Sequence, residues 1–124
     1  MHGIILALAL VSICMSAAAQ VLFKVGMSAA QVRAALADGG APAVMRGVAL
    51  NPGIVGGLAL YGLGTVLWLG VLSRAELSQA YPFVGLSFVL TALFGAVLFH
   101  DSLSAPRIAG IAAIVVGVYL VGRS

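Results

Sequence analysis

The chain has 124 residues, of which 63% are hydrophobic and only 7% are charged, and its mean hydropathy is +1.22. Soluble domains carry about 25% charged residues, so this composition excludes a water-soluble globular protein. The net charge of +3 comes from basic residues near the ends of apolar segments, which indicates contact with lipid headgroups rather than with nucleic acid.

Four long apolar segments follow one another along the chain and are expected to cross a membrane. A bilayer core takes about 20 helical residues to cross, and its lack of water leaves only helices or closed barrels as spanning structures. The segments lack the alternation of apolar and polar residues that barrel strands need. The sequence therefore predicts an all-α membrane protein, a bundle of four transmembrane helices in a single domain. We place the spans at about residues 3–24, 51–73, 78–99 and 105–122.

The first span has no basic n-region and a long apolar run, so we expect it to be retained rather than cleaved as a signal peptide. Four polar residues recur along it at four-residue intervals and form a slowly winding stripe: Ser12, Ser16, Gln20 and Lys24. Polar side chains that face lipid cost free energy, so the stripe should face protein or a wet cavity. Ser12 is expected to hydrogen-bond between helices. Gln20 and Lys24 are binding-site candidates, although Lys24 also fits a lysine that snorkels to the headgroups.

The connection after the first span contains one short predicted helix, Ser28–Leu36, with Ser28 as its N-cap. Gly39, Gly40 and Pro42 are expected to end it. One face of this helix is apolar, which fits either a helix lying in the membrane interface or a continuation of the first span.

The second span is expected to begin at Asn51, which can accept hydrogen bonds from free amides, with Pro52 in the first turn. Trp68 and Arg74 near its end are predicted interfacial anchors. The short turn over residues 73–78 makes the second and third spans antiparallel neighbours.

The third span carries Pro82 near its start, which fits a helix-start proline or a kink that frees a carbonyl near a binding site. Its polar residues Tyr81 and Ser87 are further binding-site candidates. Thr91 is expected to hydrogen-bond between helices, like Ser12.

The fourth span is expected to be capped by Ser104. Four short helices do not readily enclose a path for a sizeable solute, so we expect a dimer. Small residues let helices approach closely, and one stripe of them on this span is the candidate dimer seam: Ala109, Ala113 and Gly117. The glycines of the second span fit packing within the chain equally well.

No catalytic set is recognisable in the sequence. The three carboxylates, Asp38, Glu76 and Asp101, lie in loops or near span ends, and Cys14 is the single cysteine. We therefore expect no enzyme activity, no cofactor, no metal site and no disulfide.

Several segments, in order, resemble the small four-helix members of the drug/metabolite transporter superfamily. The segment from Ser16 to Lys24 is similar to their first-span S-x-x-x-Q-x-x-x-K pattern, and Ala80-Tyr81-Pro82 to the AYP that begins their third span. The segment His100–Ser104 is similar to the H-E-P-x-S of subunits that flip undecaprenyl-phosphate-aminoarabinose. Here Asp101 replaces the glutamate and Ser102 the proline.

The related small multidrug resistance family carries a glutamate in the first span that exchanges protons for cationic drugs. The corresponding position in this chain is Ser16. Since no carboxylate lies in the first span, the sequence disfavours proton-coupled drug export.

The resemblance implies a transporter subunit in the bacterial inner membrane that moves a polyprenyl-phosphate-linked sugar or similar amphiphile. Its polar head would bind along one groove lined by Ser16, Gln20, Lys24, Tyr81 and Ser87. The implied partner is a second copy or a similar small subunit, and the orientation in the membrane stays open. The alternatives are a small exporter of organic cations and an assembly subunit that transports nothing.

Overall fold

The structure is a computed structural model that describes residues 3–124, and no strand occurs in that range. The helices are α1 (Gly3–Met27), α2 (Ala30–Asp38), α3 (Ala41–Ala49), α4 (Pro52–Leu72), α5 (Leu77–Ala80), a 3₁₀ helix (Tyr81–Val84), α6 (Gly85–Leu98) and α7 (Ala105–Arg123). Four segments are long and apolar enough to cross a membrane: α1, α4, the run from α5 to α6, and α7. The predicted all-α, four-helix membrane fold is confirmed.

The predicted cap of α4 forms as expected, and it also fixes α4 to α1. Oδ1 of Asn51 accepts hydrogen bonds from the amides of Gly53 and Ile54 at 2.9 and 3.1 Å. Nδ2 of Asn51 donates to the carbonyl of Gly26 at 3.1 Å, across the contact with α1. One side chain therefore satisfies donors at the start of one helix and an acceptor near the end of another.

The connection between the first two spans differs from the prediction. Ser28 is not an N-cap, because its hydroxyl donates to the carbonyl of Lys24 at the end of α1, at 2.7 Å. Pro42 does not end α2 but lies in the first turn of a second short helix, α3, which the sequence analysis missed. Proline fits there because the first amides of a helix have no partner within it. Val32 of α2 is buried in the connection.

The third span is broken near its start. Five residues from Leu77 precede Pro82, so Pro82 does not begin the span, and the chain turns from α-helix to 3₁₀ helix at Tyr81. Proline has no amide to donate to the carbonyl four residues earlier, here that of Ser78. The following helix, α6, packs against α1 and α7.

The core of the bundle is the contact between α1 and α4, which the glycines of α4 make possible. A Cβ on Gly57 would lie 2.8 Å from the Phe23 ring, and one on Gly64 would lie 3.3 Å from Cβ of Met15. Ala9, Ala17 and Ala19 are completely buried on the α1 side. Small residues on both helices thus let the two backbones approach closely.

The second half of the bundle packs less tightly. Phe83 of the 3₁₀ helix, Ile13 of α1 and Val118 of α7 form a small apolar cluster. Val118 is the one buried residue of α7, and the rest of that helix is half-buried or exposed. The helix is nonetheless capped as predicted, since Oγ of Ser104 accepts from the amide of Arg107 at 3.4 Å.

Candidate functional site

Side-chain hydroxyls surround a cavity of about 140 Å³ between α1, α4 and the start of the third span. We name it the hydroxyl cavity, and its six hydroxyl side chains are Ser12, Ser16, Tyr61, Thr65, Tyr81 and Ser87. Trp68 lines the same space. Since Ser12 and Ser16 lie near the middle of α1, the cavity lies deep in the apolar part of the bundle.

Three of these hydroxyls already donate their proton to a backbone carbonyl. Ser12 donates to Gly64 at 2.7 Å, Thr65 to Tyr61 at 2.9 Å and Ser87 to Val84 at 2.6 Å. A hydroxyl has one proton and two lone pairs, so each of the three can still accept a hydrogen bond. The cavity is therefore rich in acceptors and suits a ligand that brings hydroxyl or ammonium donors.

A second cavity, of about 150 Å³, lies between α1 and α6 near the end of α1. We name it the charged cavity, because Lys24 and Asp101 both line it. Gln20 and Thr91 add an amide and a hydroxyl, and Phe94 and Phe99 add apolar surface. Gln20 and Lys24 are exposed in the single chain, so a ligand or a second subunit can reach them.

The five predicted site residues lie in these two cavities rather than in one groove. Ser16, Tyr81 and Ser87 line the hydroxyl cavity, whereas Gln20 and Lys24 line the charged cavity. Ser16 and Gln20 are about 6 Å apart along the axis of α1, roughly one turn. Two polar cavities thus follow each other along one helix, from mid-membrane towards one surface.

The sequence analysis missed the contribution of α4 to the site. Tyr61, Thr65 and Trp68 follow the spacing i, i+4 and i+7, which places them on one helix face. This spacing is the feature of the sequence that could have indicated a polar face on α4. Trp68, which is also the predicted interfacial anchor, is half-buried in the fold and packs against the cluster of Ile5 and Val71.

The two residues expected to hydrogen-bond between helices behave differently. The prediction is confirmed for Ser12, whose acceptor, the carbonyl of Gly64, belongs to α4. It is wrong for Thr91, whose hydroxyl donates to the carbonyl of Phe88 in its own helix at 3.0 Å. A threonine can satisfy its hydroxyl on the preceding turn without a second helix.

A larger cavity, of about 900 Å³, lies elsewhere, at the opposite end of α1 from the charged cavity. It is lined by Arg74, Glu76 and Gln79 at the turn into α5, and by the ends of α1 and α7. No predicted site residue touches it. It lies at the first turn of α1 and the last turn of α7, away from the predicted site.

Four apolar helices with polar cavities between them define a small multi-pass membrane protein. No protein-family profile matches the chain, and no solved structure matches it. A curated relative from Serratia proteamaculans is 39% identical over 99 residues, which cover 80% of this chain and 85% of the relative. That relative is named a probable 4-amino-4-deoxy-L-arabinose-phosphoundecaprenol flippase subunit, ArnE. The chain therefore belongs to this family of flippase subunits.

Two further relatives carry the same name. The one from Pseudomonas savastanoi pv. phaseolicola is 44% identical over 66 residues, covering 53% of this chain and 58% of the relative. One from Pseudomonas aeruginosa is 42% identical over 67 residues, covering 54% of this chain and 58% of the relative. The chain thus spans less than two thirds of the Pseudomonas relatives that it matches.

Proposed function

We propose that this protein is one subunit of a flippase that moves a polyprenyl-phosphate-linked sugar, or a similar amphiphile, across the bacterial inner membrane. The observation that carries the proposal is the succession of the hydroxyl cavity and the charged cavity along α1. A lipid-linked sugar has a tail that stays in the bilayer and a head that must cross it. Only the head needs a polar environment, and the two cavities offer one at successive depths.

The chemistry of the two cavities matches the two parts of such a head. An unpaired anion in the low dielectric of a membrane is very costly, and the ammonium of Lys24 can neutralise a phosphate. Gln20 can donate to and accept from sugar hydroxyls beside it. In the hydroxyl cavity, Ser87 keeps its acceptor lone pairs after donating to Val84, so it can receive the donors of the sugar.

A second subunit completes this proposal. Gln20 and Lys24 are exposed, so the charged cavity is open in the single chain, and α7 has an exposed face of its own. A second copy, or a similar small subunit, would close it, with the single four-helix domain as one half. No step of such transport makes or breaks a covalent bond, so the proposal includes no enzymatic activity.

Flipping by purified protein in liposomes tests the proposal. A radiolabelled polyprenyl-phosphate sugar is placed in the outer leaflet, and its protection from a membrane-impermeant oxidant reports translocation. We expect Lys24→Ala to slow translocation by about tenfold or more, the scale of one charge-assisted contact. Arg33→Ala is the matched control, because Arg33 also carries one positive charge and is exposed but lies on α2, outside both cavities.

Other outcomes distinguish the rival functions. Equal translocation by the parent and Lys24→Ala proteins would remove Lys24 from the site. Proton-driven uptake of organic cations in place of lipid flipping would favour the small exporter, although Ser16 stands where that mechanism needs a carboxylate. Absence of flipping until a larger membrane partner is added would favour the assembly subunit.

A further inference from the structure

We propose that the hairpin formed by α2 and α3 binds the phosphate of an anionic phospholipid at the membrane surface, in the groove between the two helices. We name this groove the hairpin groove. It lies apart from the hydroxyl cavity and the charged cavity, so lipid binding there does not depend on the proposed function. Three features of the chain support the site: where the hairpin is attached, which apolar side chains it exposes and where its charges lie.

Both ends of the hairpin are held at one surface of the bundle. Nδ2 of Asn51 donates to the carbonyl of Gly26 at 3.1 Å, so the start of α4 lies beside the end of α1. Since both helices are long and apolar enough to span the membrane, this contact lies where they reach the headgroups. The chain leaves α1 at Ala29, whose backbone is extended, so α2 does not continue α1 as one helix. Each helix of the hairpin has nine residues and is about 13 Å long, so no part of the hairpin lies far from the headgroups.

The two helices pack on each other through small contacts that leave larger apolar side chains uncovered. Val32 of α2 is 1% exposed, and a Cβ on Gly47 of α3 would lie 3.9 Å from the Cα of Val32. By contrast, Leu36, Met45 and Leu50 are 53, 71 and 74% exposed. Three large apolar side chains on so small a hairpin are unfavourable in water, whereas the boundary between headgroups and acyl chains accommodates them. The exposed surface of the hairpin therefore suits a membrane interface.

The hairpin groove has a volume of about 510 Å³ and combines polar and apolar walls. Arg46 and Gln31 supply guanidinium and amide donors, and both residues are exposed. Leu50 and Pro42 line the same groove and offer apolar contact. A guanidinium can donate two parallel hydrogen bonds to one phosphate, and the glycerol and first acyl carbons of a phospholipid bring apolar surface beside that phosphate. The groove thus matches the part of a phospholipid where its headgroup meets its acyl chains.

The charges of the hairpin favour a headgroup with a net negative charge. Residues 28–50 contain two arginines, Arg33 and Arg46, and one carboxylate, Asp38. Asp38 ends α2, and none of the described residues that line the hairpin groove is acidic. A zwitterionic headgroup brings a cation that has no carboxylate partner there. A basic residue near an anionic lipid surface contributes about fivefold in affinity, so an anionic phospholipid is the favoured ligand.

Quenching by spin-labelled lipids tests the site in the full chain. A fluorophore is attached through Ala34→Cys, at an exposed position of α2 outside the groove, and Cys14→Ser removes the native thiol. The protein is reconstituted in phosphatidylcholine vesicles that contain spin-labelled phosphatidylglycerol or spin-labelled phosphatidylcholine. We expect phosphatidylglycerol to quench with about fivefold higher apparent affinity, because its headgroup carries a net negative charge. Inorganic phosphate at matched ionic strength should leave this preference unchanged.

Two arginine variants separate binding in the groove from the overall charge of the hairpin. Arg46→Gln should remove most of the preference for phosphatidylglycerol, whereas Arg46→Lys, which keeps the charge, should retain most of it. Arg33→Gln is the matched control, because it removes the same charge from the hairpin but lies outside the groove, and it should retain most of the preference. Unchanged quenching by phosphatidylcholine in each variant shows that the hairpin keeps its place at the membrane.

Three outcomes would overturn the inference. Equal losses in Arg46→Gln and Arg33→Gln, or equal quenching of the parent by both lipids, would mean that the groove is not a lipid site. No quenching by either lipid would mean that the hairpin projects away from the bilayer. Loss of the preference when inorganic phosphate is added would mean that the groove binds a soluble anion instead of a phospholipid.

Discussion

Helices α4 and α7 both carry a stripe of small residues, but only α4 packs its stripe against another helix of the chain. The glycines Gly53, Gly57 and Gly64 of α4 lie against α1, where an added Cβ would approach α1 atoms within 3.4 Å. On α7, a Cβ on Gly110 or Gly117 would meet no atom within 4 Å. The same composition therefore corresponds to a closed contact in one helix and to an open face in the other.

The α1–α4 contact is therefore satisfied within the chain, whereas the small-residue face of α7 is free to meet a partner. In lipid, helices gain little from apolar burial, so close packing of small residues is a main source of association. The pair α1–α4 has already realised this gain, whereas the face of α7 with Ala109, Ala113 and Gly117 has not. The assignment of that face as a dimer seam stays a prediction, and the variants below test both halves of the comparison.

Gly26→Ala should lower the free energy of unfolding more than the other variants below, because it forces α1 and α4 apart. A Cβ on Gly26 would lie 2.6 Å from Cγ1 of Ile54 and 2.9 Å from its backbone nitrogen, which cannot move without shifting α4. Overpacking of this kind costs about 1–3 kcal/mol, and we expect the upper half of that range. Unfolding of the purified protein in mixed detergent and denaturing micelles measures the loss.

Gly62→Ala is the matched control, since a Cβ at that position of α4 meets nothing within 4 Å. Alanine is favoured over glycine in a helix by up to about 1 kcal/mol, so this variant should be neutral or slightly more stable. Equal stability of the two variants would mean that the glycines do not set the distance between α1 and α4.

The fold could be predicted where local chemistry decides it. Asn51 followed by Pro52, and Ser104 followed by Pro106, specify helix starts through side-chain acceptors and a missing amide, and both form. The short helix α3 could not be found in this way. Its N-cap, Gly40, has no side chain, and Pro42 fits the end of one helix as well as the start of the next.

The second prediction concerns the open face. Gly117→Leu adds a large side chain to the predicted seam without a clash inside the chain, so the monomer should keep its stability. Dimer association should weaken by about tenfold, equivalent to about 1.4 kcal/mol. Ala112→Leu is the control, because it adds a side chain to an exposed position about 140° away around α7. Cysteine crosslinking in membranes compares the two, and identical patterns would exclude this face as the seam.

The candidate site could be predicted only in part, because it depends on how the helices are rotated against one another. The four-residue interval of polar residues on α1 identified the helix that lines both cavities. It did not indicate that Ser16 and Gln20 would face different neighbours, since that depends on the break at Pro82 and on the course of α6. The prediction that Thr65 lines the hydroxyl cavity would also have required the position of α4 relative to α1.

Ser12→Ala should give the smallest effect and tests the closed contact at a single hydrogen bond. The hydroxyl of Ser12 donates to the carbonyl of Gly64 at 2.7 Å and is buried between α1 and α4. Hydrogen bonds between membrane helices contribute about 0.6 kcal/mol on average, and up to about 1.7 kcal/mol. Thr91→Ala is the comparison variant, because it removes a hydroxyl whose hydrogen bond lies within its own helix. Thr91→Ser is a milder change, because it keeps a hydroxyl. We expect Ser12→Ala to lower the free energy of unfolding more than Thr91→Ala does, measured in the same micelles as Gly26→Ala. If Thr91→Ala were the more costly of the two, the hydrogen bond across the helices would contribute nothing beyond an ordinary bond within a helix, and the α1–α4 contact would depend on its glycines alone.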